Sequence, residues 1–323
     1  MNISNDSQHL QMLQLRFSEK VFIIIFALLG IALNLLVCII LGLKRHSHPP
    51  LDRLILNLAI ADLLNCCTIA SCHILEFLLF ARKNDYPPIS DQARQVICKL
   101  WILGISTTAT SSIQTLAAIS IERWKAIIHP FSHPITQKQL KIFILFNWLL
   151  SSGAALFMAF LHTSDNEGSF SCNEISDTNL LIATSFFYGI TNFILFVIVS
   201  VCYVWIGVAL YKSNPPTASP NCQHSKIVRK NCRKAIALLC ITVLSIVSST
   251  QFSILYLYLS IVKHIVKSFT LLFQNTFLNF YRVTWLLALI SSSVNPILYN
   301  YCSENFHAEF IKLFCKRQLI GKN

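Results

Sequence analysis

The chain of 323 residues is 54% hydrophobic and only 12% charged, with a mean hydropathy of +0.58. Soluble domains average about 25% charged residues, so these proportions exclude an ordinary soluble enzyme or binding module and point to a protein that lies mostly in lipid. The net charge of +12 would suggest a nucleic-acid partner only if it clustered on a soluble face, and its distribution along the chain argues against one.

Seven windows approach or exceed the roughly 20 apolar residues that a membrane-crossing helix needs: 20–43, 53–80, 97–125, 139–161, 179–211, 234–261 and 278–301, the first to seventh spans. With the amino terminus outside, the inner segments hold 17 of the 26 Lys and Arg, including Lys44, Arg45, Lys226, Arg229, Lys230, Arg233 and Lys316. That bias is the positive-inside rule, and it sets the orientation. Residues 1–19 contain Arg16 and Glu19 and no apolar core, so no cleavable signal peptide is expected. No repeat of solenoid or propeller period is visible, nor the inverted hydropathy symmetry that many transporters carry.

The amino-terminal tail carries two glycosylation sequons, at Asn2 and Asn5, which agree with an outside terminus. In the first span, Gly30 and Asn34 stand out, and the Asn is read as a hydrogen bond to a neighbouring helix. The second span, LNLAIADLL, places Asp62 in mid-helix, where a carboxylate needs a cation, a proton or several donors. Glu76, near the outer end, is either a ligand-facing acid or a solvated end charge. The third span runs from Cys98 to Arg123, and its 25 intervening steps cover about 37 Å at 1.5 Å per residue. Glu122 and Arg123 at its inner end are either functional charges or a salt-paired helix terminus.

The fourth span holds Trp148 and no proline. The following loop, 162–178, has Asp165, Glu167, Glu174 and Asp177 without Lys or Arg, which is either an attraction for a cationic ligand or simply a solvated loop. The fifth span contains Phe186, Phe187, Tyr188 and, deeper, Tyr203. Pro215, Pro216 and Pro220 break the chain into a loop before the basic run SKIVRKNCRKA enters the sixth span. The seventh span ends in Asn295-Pro296-Ile297-Leu298-Tyr299. Beyond it, Phe306, Phe310, Leu313 and Phe314 recur at helical spacing, as in an amphipathic helix lying in the membrane interface. Cys315 is a candidate for palmitoylation there.

Taken in order, Asn34, the run Asn57-Leu58-Ala59-x-Ala61-Asp62, Cys98, Glu122-Arg123-Trp124 with Pro130, Trp148, Cys172 and Asn295-Pro296-x-x-Tyr299 resemble the rhodopsin-like G-protein-coupled receptors over about residues 20–315. The resemblance implies an all-α membrane protein, a seven-transmembrane helix bundle with a short amphipathic eighth helix. Residues 1–19 would form an extracellular tail, 20–301 the receptor domain, and 302–323 the amphipathic helix and cytoplasmic tail of a multi-pass plasma-membrane protein. It further implies a sodium site at Asp62, Ser112, Ser291, Ser292 and Asn295, with sodium as an allosteric modulator and no cofactor required. Activation would rest on Glu122, Arg123, Trp124, Tyr203, Asn295, Pro296 and Tyr299. A disulfide is expected between Cys98 and Cys172; apart from Cys72, these are the cysteines at outer helix ends or loops, where an oxidising exterior permits pairing.

Several positions depart from the family pattern. Trp124 replaces Tyr, Ser291 replaces Asn, and Leu195 replaces the proline of the fifth span. In the sixth span the family's Phe, Cys-Trp pair and Pro fall on Ser245, Ser248-Ser249 and Gln251, and the acid that restrains Arg123 in some relatives falls on Asn231. Raised basal activity is the expected consequence of that last loss.

The ligand pocket is expected among the outer halves of the helices, at Glu76, Trp101, Ile105, Phe187, Gln251, Tyr256, Tyr281 and Trp285, since aromatic linings with few polar groups suit ligands. Ile105 stands where amine receptors carry Asp, and Leu289 where opsins carry the retinal Lys. The tail beginning Ser-Glu-Asn-Phe resembles that of several peptide receptors, so the expected ligand is an extracellular peptide. A small lipid or metabolite, or a receptor that binds without signalling, are the alternatives, with a channel or transporter behind them. A heterotrimeric G protein, arrestin and membrane lipid are the implied partners. Ser, Cys and His occur without catalytic spacing, so no enzyme is expected.

Overall fold

The computed structural model describes residues 3–42, 49–81, 90–133, 135–164, 172–174 and 178–213, isolated helical positions between 236 and 245, and parts of 283–312, chiefly 286–297, 306–308 and 310–312. Its elements in chain order are α1 (Ile3–Gly42), α2 (Pro50–Ala81), α3 (Asp91–Ile128), α4 (Gln137–Phe160), β1 (His162–Ser164), β2 (Cys172–Glu174) and α5 (Thr178–Ser213). A further apolar helix, Leu286–Ile297, lies in the seventh span. Among the described residues, five helices are long and apolar enough to cross a membrane.

The helix limits follow from local chemistry. Pro50 opens α2, where a first-turn position needs no amide donor. Ser90 caps α3 by accepting from the Ala93 amide at 3.3 Å. Pro130 follows the α3 C-cap at His129 and cannot extend the ladder. Thr136 and Gln139 form a reciprocal capping box at the start of α4. The first helix departs from expectation by beginning at Ile3 rather than near residue 20. No proline lies between Ile3 and Gly42 to stop it, and the stretch QHLQMLQLRF is made mostly of good helix formers. Its membrane-apolar part still starts only at Ser18.

α3 is the central rod, packed against α2, α4, α5 and β1. Its buried side chains are largely small or hydroxylic: Thr107, Thr108, Ser111, Ser112, Thr115, Ala117 and Ser120. Small residues let helix backbones approach closely in lipid, where apolar attraction between helices is weak. One apolar cluster fills the inner half, with Leu54, Leu58, Leu116, Ile119, Tyr203, Ile206 and Phe306 among its members. A second cluster in the outer half joins Ile23, Ala27, Cys66, Ile69, Ala70 and Leu289. The outward faces of α4 and α5 carry Leu145, Phe146, Leu149, Phe193, Val204 and Trp205 in the open, which is the surface that hydrocarbon covers.

The outer loop forms a two-stranded antiparallel hairpin, with His162 opposite Glu174 and Ser164 opposite Cys172. The Cys98–Cys172 disulfide pins it to α3, with the two Cα atoms 5.6 Å apart. Gln95 of α3 and Thr163 of β1 hydrogen-bond at 2.9 Å beside it.

Candidate functional site

A polar column runs through this apolar frame, and its centre is Asp62. The residue is 1% exposed at mid-height on α2. Asn295 donates its side-chain amide to Oδ2 at 2.7 Å, and Ser112 of α3 donates its hydroxyl to Oδ1 at 3.0 Å. The Ser292 hydroxyl engages the same carboxylate. A buried carboxylate is costly unless it is hydrogen-bonded from several sides, and here α3 and the seventh span supply three donors.

The seventh span is tied in from α1 as well. Asn34 donates from Nδ2 to the Ser292 carbonyl at 3.0 Å and to the Gly30 carbonyl at 2.9 Å. The interhelical role expected for Asn34 is therefore met. Gly30 permits the approach: a Cβ there would stand 2.5 Å from Cys66 Sγ and 2.8 Å from Ser293 Oγ.

Ser291 departs from the set expected at Asp62. Its hydroxyl is paired with Ser245 of the sixth span at 2.7 Å. Adjacent residues on a helix point about 100° apart, so Ser291 faces the sixth span while Ser292 faces Asp62. The oxygen donors gathered at Asp62 are its own carboxylate and the Ser112 and Ser292 hydroxyls. Among the described residues, no group of three or more His, Cys, Asp or Glu could hold a metal ion, so any cation here must be one satisfied by hydroxyls, a single carboxylate and water.

Below Asp62 a second web joins α2, α3 and α4. Asn57 donates to Thr115 Oγ1 at 2.8 Å and accepts from Trp148 Nε1 at 2.9 Å. Asn147 donates to Ser111 Oγ at 3.0 Å and to Thr115 Oγ1 at 3.2 Å. Trp148 is therefore more than packing. Asn57, Thr115 and Asn147 were not foreseen as a unit, although Ser111 and Thr115 sit four apart on one face of α3, the signal for such a web.

At the inner end, Arg123 donates from Nε to Glu122 Oε2 at 2.6 Å, with the Arg side chain 23% exposed and the Glu 10%. The salt-paired reading of this terminus is met. Trp124 packs against the inner apolar cluster and stands edge-on to His129, ring centroids 5.2 Å apart. Tyr203 is buried in the same cluster. Pro296 is buried one residue beyond Asn295.

At the outer end the expected ligand residues divide. Trp101 is half-buried and meets His73 of α2 edge-on, centroids 6.4 Å apart. His73 was missed in the sequence because a lone His in an apolar run carries no periodic signal. Ile105 packs on the outer cluster. Phe187 is 55% exposed and shares the open stripe of α5 with Phe186, Ile190 and Ile194. Tyr188, one position on, is half-buried. Glu76 lies on α2, one turn outward of His73, and Asn5 in the first turn of α1. Gln251, Tyr256, Tyr281, Trp285, Tyr299, Asn231, Asn2 and Cys315 lie outside the described residues.

His162 in β1 is 3% exposed, its Nδ1 2.9 Å from the Met158 carbonyl. Burial pushes its imidazole below the usual histidine value, partly offset by that backbone contact.

Comparison with known proteins agrees with this arrangement. A family model described as "7 transmembrane receptor (rhodopsin family)" matches residues 33–299. Neuropeptide FF receptor 1 of Homo sapiens is 25% identical over 92% of this chain and 70% of its own length. The allatostatin-A receptor of Bombyx mori is 26% identical, covering 97% of this chain and 85% of its own. Neuromedin-U receptor 2 of Rattus norvegicus is 26% identical over 88% and 71%, respectively.

Proposed function

Because the chain belongs to the rhodopsin family of seven-transmembrane receptors, we propose that it binds an extracellular peptide and activates a heterotrimeric G protein at the plasma membrane, with its amino terminus outside. The observation that carries this reading is a set of polar ties buried in an apolar bundle: Asp62 with Asn295, Asn57 with Trp148, and the Glu122–Arg123 pair near the end of α3. Polar and charged groups inside spanning helices are costly and mark functional positions. The similar chains named as receptors for neuropeptide FF, allatostatin-A and neuromedin U favour a peptide over an amine or a lipid.

A ligand can act in this way only by binding the active arrangement more tightly than the silent one. Trp101 with His73, Ile105 and the disulfide-pinned hairpin frame the outer cleft. Arg123 is the group that a cytosolic partner would meet once it leaves Glu122. Arrestin would be a second partner for the same face, and an acylated Cys315 would tie the tail to membrane lipid.

The donor set at Asp62 fits a sodium ion: one carboxylate and the Ser112 and Ser292 hydroxyls are hard oxygen ligands. Bound there, the ion would stabilise the arrangement in which the carboxylate and the seventh span stay together.

The test is a peptide-library screen on cells expressing the chain, read by G-protein activation, with Arg123→Ala as control. The expected outcome is a peptide that activates the wild type, while Arg123→Ala keeps surface expression and binding and loses signalling. Persistence of signalling in Arg123→Ala would remove that residue's role; silence of the wild type to every peptide would overturn the peptide reading.

A further inference from the structure

We infer that the Ser245–Ser291 hydroxyl pair is a latch that holds the sixth span against the seventh in the signalling-silent arrangement. This inference rests on the receptor reading above.

The two hydroxyls are 2.7 Å apart, one donating to the other, and 46 residues separate them in sequence. Ser245 is 8% exposed and Ser291 3%, so the bond is made where no water competes. Its position matters as much as its burial. Ser291 precedes Ser292, whose hydroxyl engages Asp62 and whose carbonyl receives Asn34. One turn of the seventh span therefore faces three ways: to α1 through Asn34, to α2 through Asp62, and to the sixth span through Ser291. Asn295, one turn on, adds a second tie to Asp62.

Among the described residues, the sixth span meets the seventh at this buried pair of small hydroxyl side chains. Sliding or rotating the sixth span by more than an ångström or so breaks such a bond, because hydrogen bonds weaken steeply with distance and angle. The released hydroxyls can turn to the carbonyls of their own helices, so the cost is modest. A tie of that strength is suited to a restraint that has to be broken in use. It also supplies a restraint on the sixth span that does not depend on the missing acid at Asn231.

The test combines Ser245→Ala, Ser291→Ala, the double variant and Ser245→Thr in the full chain. Ligand-independent nucleotide exchange on a G protein is measured per receptor at the cell surface, and thermal stability is measured on purified protein. Each Ala variant is expected to raise basal exchange about fivefold, the weight of one net hydrogen bond in a population balance. The double variant should rise no further than either single one, and Ser245→Thr, which keeps the hydroxyl, should stay quiet. A peptide from the screen above should also become more potent on the Ala variants.

Additive effects in the double variant, in exchange or in stability, would overturn the pairing. A peptide response in the wild type with unchanged basal exchange and potency in the Ala variants would overturn the latch alone. Silence of the wild type and of every variant toward all peptides and all G proteins would instead overturn the receptor reading, and the latch with it.

Discussion

Asn295 reaches Asp62 across 2.7 Å although 233 residues separate them in the chain. The bond closes the bundle, joining the second helix to the seventh through a buried carboxylate. Removing either side strands the other. Asp62→Ala leaves Asn295 and Ser112 facing an apolar void, and hydrogen bonds to charged groups are worth about 1.5–3 kcal/mol each.

Sodium provides the sharper reading of this site. In detergent, replacing choline chloride by sodium chloride is expected to raise the melting temperature of the wild type by about 1–2 °C, the shift that roughly 1 kcal/mol gives a chain of this size. Asp62→Asn should show no such difference. An equal salt response in both proteins would remove the ion from the site.

Trp148→Phe keeps the ring but loses the donor to Asn57 Oδ1. We expect a loss of about 1 kcal/mol from the missing bond, measured by thermal unfolding. Asn57→Leu should cost more, because it strands the indole and also removes one of the bonds at Thr115. In the double variant the two losses should not add.

Gly30→Ala introduces a methyl 2.5 Å from Cys66 Sγ and 2.8 Å from Ser293 Oγ. Overpacking of this kind costs about 1–3 kcal/mol, so surface expression and thermal stability should both fall. Cys66→Ala removes the nearer obstacle, and in the Gly30→Ala background it should recover part of the loss. No recovery would place the clash at Ser293 instead.

The hairpin should loosen in acid. Burial holds the His162 imidazole below its ordinary value of about 6.5, so the folded hairpin binds fewer protons than the unfolded one in that range. Its contribution to stability is then complete above about pH 6.5 and is lost as pH falls through the lowered folded value. Amide protection factors in 162–174, the observed rates corrected for the pH dependence of intrinsic exchange, should fall on acidification in the wild type, and His162→Gln should flatten the response.

Much of this was legible in the sequence because membrane chemistry makes it so. An apolar run of 20 or more residues has few folds open to it, and a charge inside such a run has to have a partner. Asp62, Asn34 and Arg123 announce themselves in that way, and the first five spans lie where hydropathy puts them. The pairings were harder to read. Ser291 facing Ser245, or Asn57 shared between Thr115 and Trp148, depends on helix rotation, which hydropathy does not report. Phe187, open on α5, meets the same limit: an aromatic residue on a spanning helix is equally at home in a pocket and in lipid, and only the azimuth decides. The extra turns of α1 were missed because the search was for apolar sequence, while polar residues of good propensity carried the helix on.

Arg123 and Glu122 are next to each other in the chain, so their ion pair rides on a single rod and binds no moving part to another. Pulling the bundle apart at its inner rim would leave that clasp shut. Opening it takes only a side-chain rotation within one helix, so on the reading proposed above a competitor for the guanidinium, rather than leverage, would free the arginine.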